Sequence, residues 1–296
     1  MASPLISFVV LTRNRREQVL RAIQRSLAQT YSDKEIIAVV NGSTDGTAEA
    51  IRSQFPTVKL VVLAENIGAA AGRNRGWTES KGEYVIFLDD DCVLAEDNVA
   101  QSVEMQFNAD PACGAIAFRI YDPLTNDQTY DLSGGKGHEA VWETVRFCSG
   151  AFAARRKALE ETHGFCERFF MVNEDTDLAL RIMNAGWRIF LRGDIDVYHP
   201  SAIRHGTRDL RRAVYFNVRN SLWLAIRTLR VRQWFTLLLP KLWHSFMLAY
   251  RSWGIRVFVT GLSDGLRGIG QCFAERRPLS REVLQRARRL RVKLWG

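Results

Sequence analysis

The chain has 296 residues, 47% of them hydrophobic and 25% charged; that is enough to bury a large core in one domain or two, and it excludes a disordered or fibrous chain. The net charge of +9 is unevenly spread, because residues 201–296 hold 20 of the 41 Lys and Arg against 4 of the 32 Asp and Glu, a net of +16 that leaves −7 on residues 1–200. An acidic unit followed by a segment that seeks anions is the organisation this implies.

No basic region precedes the apolar run in MASPLISFVVLTRNRR, so no signal peptide is expected and the first unit is placed in the cytoplasm. Residues 6–11 form an apolar, β-rich run, and residues 16–30 repeat Val19, Leu20, Ile23 and Leu27 on one helical face. A second apolar strand is expected over 35–40, then the turn Asn41-Gly-Ser-Thr-Asp-Gly-Thr47 and a helix over 48–54. A third strand is expected over 58–63, a helix over 69–80 and a fourth strand over 84–88. Strands at this spacing with helices between them predict right-handed crossovers and a parallel sheet.

The fourth strand ends in Asp89, Asp90 and Asp91. Open α/β sheets bind ligands beyond the carboxyl ends of their strands, and an oxygen-rich cluster there suits Mg²⁺ or Mn²⁺ shared with substrate phosphates. A strand followed by an acidic turn, with Asp97 capping the next helix, is the plainer account. Three loops meet at the same edge: Thr12-Arg13-Asn14-Arg15, the NGSTDGT turn, and Glu65-Asn66-Ile67-Gly68 leading into AAAGRNRG. The small residues let a helix start approach a ligand, and Arg73, one turn inside, can contact phosphate. The five cysteines, Cys92, Cys113, Cys148, Cys166 and Cys272, show no CxxC spacing and read as reduced thiols without a role.

Further along, Asn173-Glu174-Asp175-Thr176-Asp177 opens a helix whose inward positions are Leu178, Ile182 and Met183. Three carboxylates in a first turn also follow from the helix dipole alone. Residues 195–198 are strand-like and lead into His199. Asp122-Pro123, Asn126-Asp127 and residues 133–137 mark loops. In the tail, Val214, Val218, Leu222, Ile226 and Leu229 share one helical face, while Arg212, Arg219, Arg227 and Arg230 share another. Further apolar runs carry Trp234, Trp243, Phe246 and Met247, but Lys241, Arg251 and Arg256 break them below membrane-spanning length. After Pro278 and Ser280 a last helix places Val283, Ala287, Leu290 and Leu294 on one face. Trp, Phe and Leu beside abundant Arg suit a helix lying in anionic headgroups, packing on the first unit or a second subunit being the alternative. Nucleic acid is not the expected partner, since no binding motif accompanies the charge.

The stretches FVVLTRNRR, QTYSDKEIIAVVNGSTDGT, ENIGAAAGRNRGW, GEYVIFLDDDCVL, FCSGAFAARRKALEETHGF, VNEDTDLALRIMNAGWRI and VYHP resemble, in order, the family 2 glycosyltransferases over about residues 5–200. The resemblance implies an α/β, GT-A fold: a mostly parallel Rossmann-like sheet flanked by helices over residues 1–205, followed by a helical extension over 206–296. It implies inverting transfer of a sugar from a nucleotide-diphosphate donor to an acceptor hydroxyl, in glycan or lipid-linked synthesis at the inner face of the cell membrane. It further implies Asp89, Asp91 and His199 as metal ligands, Asp89 and Asp90 also facing ribose or sugar, and Thr12, Arg13, Asn14 and Arg73 at the nucleotide. Asp175 is the implied base, with Glu174 as the alternative or as an acceptor-orienting group, and Asp177 caps or supports the helix. Members usually carry Asp where Val40 stands; the base contact then shifts to Asn41 or Asp45, or is held less selectively. YFNVRNSLWL is similar to rhamnosyltransferase-like members, and no QxxRW signature is present, so one sugar per encounter is expected. The roles of Arg155 and Arg156 stay open. A nucleotidyltransferase, or a non-catalytic lipid or glycan binder on a decayed site, is the competing reading.

Overall fold

The computed structural model describes residues 4–122, 128–130, 141–199, 210–251, 254–290 and 294. Pro123, Asn126, Asp127, the 133–137 loop and the proposed unit boundary at 205 lie outside the described residues. The first half alternates as expected: β1 (Ile6–Thr12), α1 (Arg16–Leu27), β2 (Lys34–Asn41), α2 (Thr47–Gln54), β3 (Lys59–Leu63), α3 (Ala69–Glu79) and β4 (Tyr84–Asp89). Each of β1, β2 and β4 runs one residue beyond its apolar run, so a polar side chain (Thr12, Asn41 or Asp89) ends the strand. Then follow β5 (Val93–Leu94), α4 (Val99–Ala109), β6 (Cys113–Tyr121), β7 (Gln128–Tyr130), β8 (Val141–Thr144), β9 (Ala151–Arg155), α5 (Arg156–Thr162), α6 (Glu174–Asn184) and β10 (Arg188–Tyr198). Asn98, not Asp97, is the N-cap of α4, and Asp97 instead pairs with Arg25 at 2.9 Å.

The strands form one sheet in the order β3-β2-β1-β4-β9-β6-β10-β5, with β7 on β6 and β8 on β10. The β1 to β4 half is parallel, whereas β9 runs antiparallel between β4 and β6. All seven residues of β1 are buried because helices cover both faces. Phe8 and Val10 pack with α1 and α4, and Val9 and Leu11 with the α3 side. A Cβ at Gly72 would lie 2.6 Å from Leu11 and one at Gly76 2.2 Å from Val9. Gly72 and Gly76 of AAAGRNRG therefore serve close packing of α3 on the sheet, while Ala69 at the helix start lines the cleft at the strand ends.

The tail comprises α7 (Leu210–Thr228), α8 (Val231–Gln233), a π-helical turn (Trp234–Leu238), α9 (Leu239–Arg251), α10 (Ile255–Arg267), α11 (Ile269–Ala274) and α12 (Arg281–Leu290). Leu222, Leu224 and Ala225 of α7, with Leu229 just after it, belong to the same core as Leu11 and Leu178. Gly261 and Gly265 let α10 approach α7, where added Cβ atoms would lie 2.8 Å from the Tyr215 carbonyl and 2.6 Å from Leu222.

The expected cationic face is split: Arg212 and Arg230 are exposed, whereas Arg219 and Arg227 turn toward the protein. Arg219 lies over the rings of Trp223 and Phe216, at 4.4 and 4.8 Å. Arg230 donates to the Leu279 carbonyl. Arg227, buried, donates to Asp177 Oδ1 at 3.1 Å and pairs with Glu275. Asp177, 0% exposed, also accepts from Arg181 Nε at 2.8 Å. It thus joins α6 to the tail. Asp177→Ala takes a buried carboxylate from two guanidinium groups, leaving Arg227 with Glu275 and Arg181 with the Thr162 carbonyl, and is expected to lower unfolding stability by about 3 kcal/mol in a urea titration; a loss below about 1 kcal/mol contradicts this reading of the ion pairs.

Candidate active site

Because β1 and β4 are parallel neighbours, with Leu11 level with Asp89, their carboxyl ends present Thr12 and the Asp89–Asp91 run side by side. Thr12 Oγ1 donates to Asp90 Oδ2 at 2.8 Å, and the Arg13 amide reaches the same oxygen at 3.4 Å. Arg15 donates to Asp90 Oδ1 at 3.0 Å and also to Asp91. Burial drives the Asp90 carboxyl up to about 6, against the pull of Arg15, with Asp91 and Asp89 adding to the rise. The short antiparallel pairing of Val93 with Tyr198 brings the end of β10 beside this run. His199 Nε2 consequently lies 3.4 Å from Asp91 Oδ1. Burial raises the Asp91 carboxyl, but His199 and Arg15 outweigh it and hold the group below the usual aspartate range. Asp91 likewise raises the His199 imidazole against its own burial.

Oxygen and nitrogen atoms of Asp91 and His199, with Cys92 Sγ, lie within 4.8 Å of one another. Burial keeps the Cys92 thiol protonated, so carboxylate and imidazole are the available donors. Such a set suits Mn²⁺, and Mg²⁺ where more oxygen is supplied. Three adjacent carboxylates, Asp90 and Asp91 met by Arg15 and Asp89 by Arg73, further mark a place that requires positive charge. The residues present fit a divalent ion.

On the other side, Arg73 is 3% exposed and bridges Asp89 Oδ1 at 2.6 Å to Glu174 Oε1 at 3.2 Å. Ser149 Oγ donates to that same Glu174 oxygen at 2.9 Å. Burial raises the Glu174 and Asp175 carboxyls together, and Asp175 adds its charge to the rise at Glu174. Asp175 is the less buried of the two, and its Oδ1 accepts from the Thr176 amide at 2.6 Å.

A cleft of about 480 Å³ unites Thr12, Arg13, Arg15, Asn41, the Asp89–Asp91 run and His199 with Phe170, Met171 and Arg212. Several expected contacts stand elsewhere. Asn14 ties two loops, donating its amide to Ser43 Oγ at 3.0 Å and accepting from the Thr44 amide at 2.8 Å. Asp45 is exposed, accepts from the Thr47 amide at 3.2 Å at the start of α2, and is held below its ordinary range by Thr47. Neither lines the cleft. Asn41 does, but its amide is committed to Asn66 and Gly68 and its oxygen to the Ile67 amide. Arg73 is not at an open helix start: the Ala69 and Ala70 amides of that start point to the Phe170 carbonyl, at 2.6 and 3.2 Å. Val40 is wholly buried in the core. Arg155 donates to the Cys113 and Phe107 carbonyls and Arg156 to Gly82, so both brace the backbone.

Arg15, Phe170, Met171 and Arg212 were not singled out from the sequence as site residues. Only Arg15 had a signal, since it ends the loop that supplied Arg13 and Asn14. Arg212 was assigned to a lipid-facing stripe, and it enters the cleft from the first turn of α7.

Residues 7–164 match the family described as Glycosyl transferase family 2. The poly-beta-1,6-N-acetyl-D-glucosamine synthase of Staphylococcus aureus (strain COL) is 29% identical over 209 residues, 67% of this chain and 48% of that protein. The chain therefore spans about half the length of the curated relatives it matches. Among solved structures, the mannosyltransferase PcManGT from Pyrobaculum calidifontis, in complex with GDP-Man and Mn²⁺, is 19% identical at a TM-score of 0.59, covering 98% of this chain and 85% of that one. The S. aureus TarS 1–349 structure with UDP is 13% identical at a TM-score of 0.56, covering 89% and 92%. The structural likenesses support a GT-A fold.

Proposed function

The chain belongs to glycosyl transferase family 2, and we propose that it transfers one sugar from a nucleoside-diphosphate sugar to an acceptor hydroxyl with inversion, with Asp175 as base. The observation that carries this reading is the chain Asp89–Arg73–Glu174, which fixes the carboxylates at the end of β4 against the first turn of α6. Asp91, His199 and Asp89 are the residues that would hold Mn²⁺ or Mg²⁺, which when bound neutralises charge on the departing diphosphate. Thr12, Arg13 and Arg15 shape the nucleotide side of the cleft. Glu174 is buried and tied to Arg73 and Ser149, whereas Asp175 is the more exposed of the two carboxylates and so the more accessible to the proton of an incoming hydroxyl. Its raised pKa brings it nearer to working pH. Asp175 does not itself line the cleft but lies four residues after Met171, which does; a base acting on the face of the sugar opposite the leaving group gives single displacement and hence inversion. Family membership speaks against the nucleotidyltransferase reading, and the carboxylates retained at Asp89, Asp91 and Asp175 support catalysis over a decayed binder. EDTA should abolish nucleoside diphosphate release from the correct sugar donor, and Mn²⁺ should restore it; release at full rate in EDTA contradicts the metal's part.

The proposed division is a GT-A unit over 1–205 and a helical extension over 206–296 that lies on an anionic membrane at its inner face, near a lipid-linked or growing glycan acceptor. Among the described residues no helix is long and apolar enough to cross a membrane. On α9 and α10, Trp243, Tyr250 and Val259 are exposed, as is Phe235 just before them, with Lys241, Arg251 and Arg256 on the same helices. Interfacial helices combine apolar and basic side chains in this way. Phe235→Ser with Trp243→Ser should weaken sedimentation with anionic vesicles at least 10-fold, since each buried aromatic contributes about 1.5–3 kcal/mol. Unchanged sedimentation, or a dimer that the double variant dissolves, would move the face from lipid to a second copy.

A further inference from the structure

Between Cys166 and α6 the chain takes a conformation that its residues do not favour. Phe170, Val172 and Asn173 all have positive φ, at 63°, 69° and 67°, and Val172 is β-branched. Side chains seldom adopt this region unless the surroundings impose it, and such residues gather at functional sites. Here the surroundings are the tail. Asn220 on α7 is 0% exposed and directs its amide nitrogen at three carbonyls of the segment: Phe169 at 3.0 Å, Met171 at 2.7 Å and Val172 at 2.7 Å. Its oxygen accepts from Arg219 Nε at 2.9 Å, and Arg219 Nη2 in turn reaches the carbonyls of Arg168 at 3.2 Å and Phe169 at 2.9 Å. The Phe170 ring stacks on Phe216 of the same helix, 5.5 Å between centroids and 1° from parallel.

What the segment does explains why it is held. The Phe170 carbonyl caps α3, the helix that carries Arg73 to Asp89 and Glu174. Phe170 and Met171 wall the cleft, and the segment ends at Asn173, immediately before Glu174 and Asp175. None of these bonds touches Thr12, Asp91 or His199. We infer that Arg219 and Asn220 are positioning residues: from the C-terminal extension they hold the 168–173 segment in its strained form, and so set the base helix and the acceptor-side wall of the cleft. The tail is then part of the catalytic apparatus as well as a membrane element. This rests on the reading of Asp175 as the base.

The test compares Asn220→Ala and Arg219→Ala with Tyr215→Phe, which removes the 2.8 Å bond from α7 to Asp264 on α10 but keeps the ring that lies under Arg219, 5.4 Å from its guanidinium. Hydrogen exchange and nucleoside diphosphate release are measured on the full chain, together with calorimetric affinity for UDP and GDP in Mn²⁺. In Asn220→Ala, exchange across 168–175 and 68–72 should rise at least 10-fold and kcat for release should fall at least 50-fold. Nucleotide affinity should stay within about twofold of wild type. Arg219→Ala should move the same readouts in the same direction by less, and it carries the test if Asn220→Ala does not fold. Tyr215→Phe should leave both readouts near wild type. Unchanged exchange in the two segments, or a kcat loss no larger than in Tyr215→Phe, overturns the inference, as does a matching loss of nucleotide affinity. Asp175→Asn separates the two ideas: if that enzyme stays active, the base assignment fails while the exchange result stands.

Discussion

Asp175→Asn is expected to reduce sugar transfer about 10³-fold without unfolding the protein or weakening its affinity for nucleotide and Mn²⁺. The substitution is nearly isosteric and keeps an oxygen for the Thr176 amide, which Asp175 Oδ1 accepts at 2.6 Å, but an amide cannot take a proton. General-base assistance contributes roughly 10²–10⁴-fold, so the loss should fall on kcat. The comparison with Glu174→Gln is informative. Glu174 is 5% exposed and is bound to Arg73 and Ser149, so its neutralisation removes a charge partner from a buried guanidinium. It should cost stability and loosen the site, but leave a base in place. Burial raises Asp175 above the ordinary aspartate range. The sign follows: the protonated carboxyl is inert, so rate falls as pH drops through a limb that lies above that range, and the limb should vanish in Asp175→Asn. Wild-type rate in Asp175→Asn, with the acid limb intact, contradicts the assignment.

Asp91→Ala should abolish both metal-dependent nucleotide binding and transfer. Asp91 is the group on which His199 and Arg15 converge, and it is held below its ordinary range, so it is charged at any working pH. A carboxylate already ionised needs no proton displaced when a cation arrives. Asp90 differs: it is buried, shifted to about 6, and bonded to Thr12, which suits support of the loop after β1 better than first contact with an ion. Loss of leaving-group neutralisation removes several kcal/mol of transition-state stabilisation, about 10³-fold or more in rate. Asp90→Asn should be milder. Calorimetric Mn²⁺ titration of the three proteins orders these roles, and equal Mn²⁺ affinity in wild type and Asp91→Ala would remove Asp91 from the ligand set.

The parallel half of the sheet was legible because a strand covered on both faces must be apolar along its length, as in β1 and β4. The acidic run was legible for the same reason, since polar residues at the end of such a strand have somewhere to go only at the ligand edge. Use of side chains was harder to read. The periodicity of Arg219 and Arg227 on α7, carried on to Arg230 just past it, is real, yet a cationic stripe looks the same in sequence whether it faces lipid or answers carboxylates and carbonyls of the protein. The partners of Arg219 and Arg227, in the 168–173 segment and at Asp177, lie 50–51 residues away along the chain, and that of Arg230, the Leu279 carbonyl, lies 49 away, beyond any local pattern. The small residues before Arg73 posed the same ambiguity, because close packing on Leu11 and Val9 and close approach to a ligand demand the same absence of bulk. Positive φ at Phe170 and Val172 had no signal at all, as neither residue type favours it.

The most direct test of the account is thermal melting of the full chain with UDP, GDP and dTDP and their sugars, each with and without Mn²⁺, beside Asp91→Ala. A ligand at about 100 times its Kd stabilises the folded state by about 2.7 kcal/mol, a rise of several degrees. The account predicts such a rise with one nucleotide class, only when Mn²⁺ is present, and none in Asp91→Ala. A rise that ignores both Mn²⁺ and Asp91, or no rise with any of these ligands, would contradict a metal-dependent donor site at the end of β4.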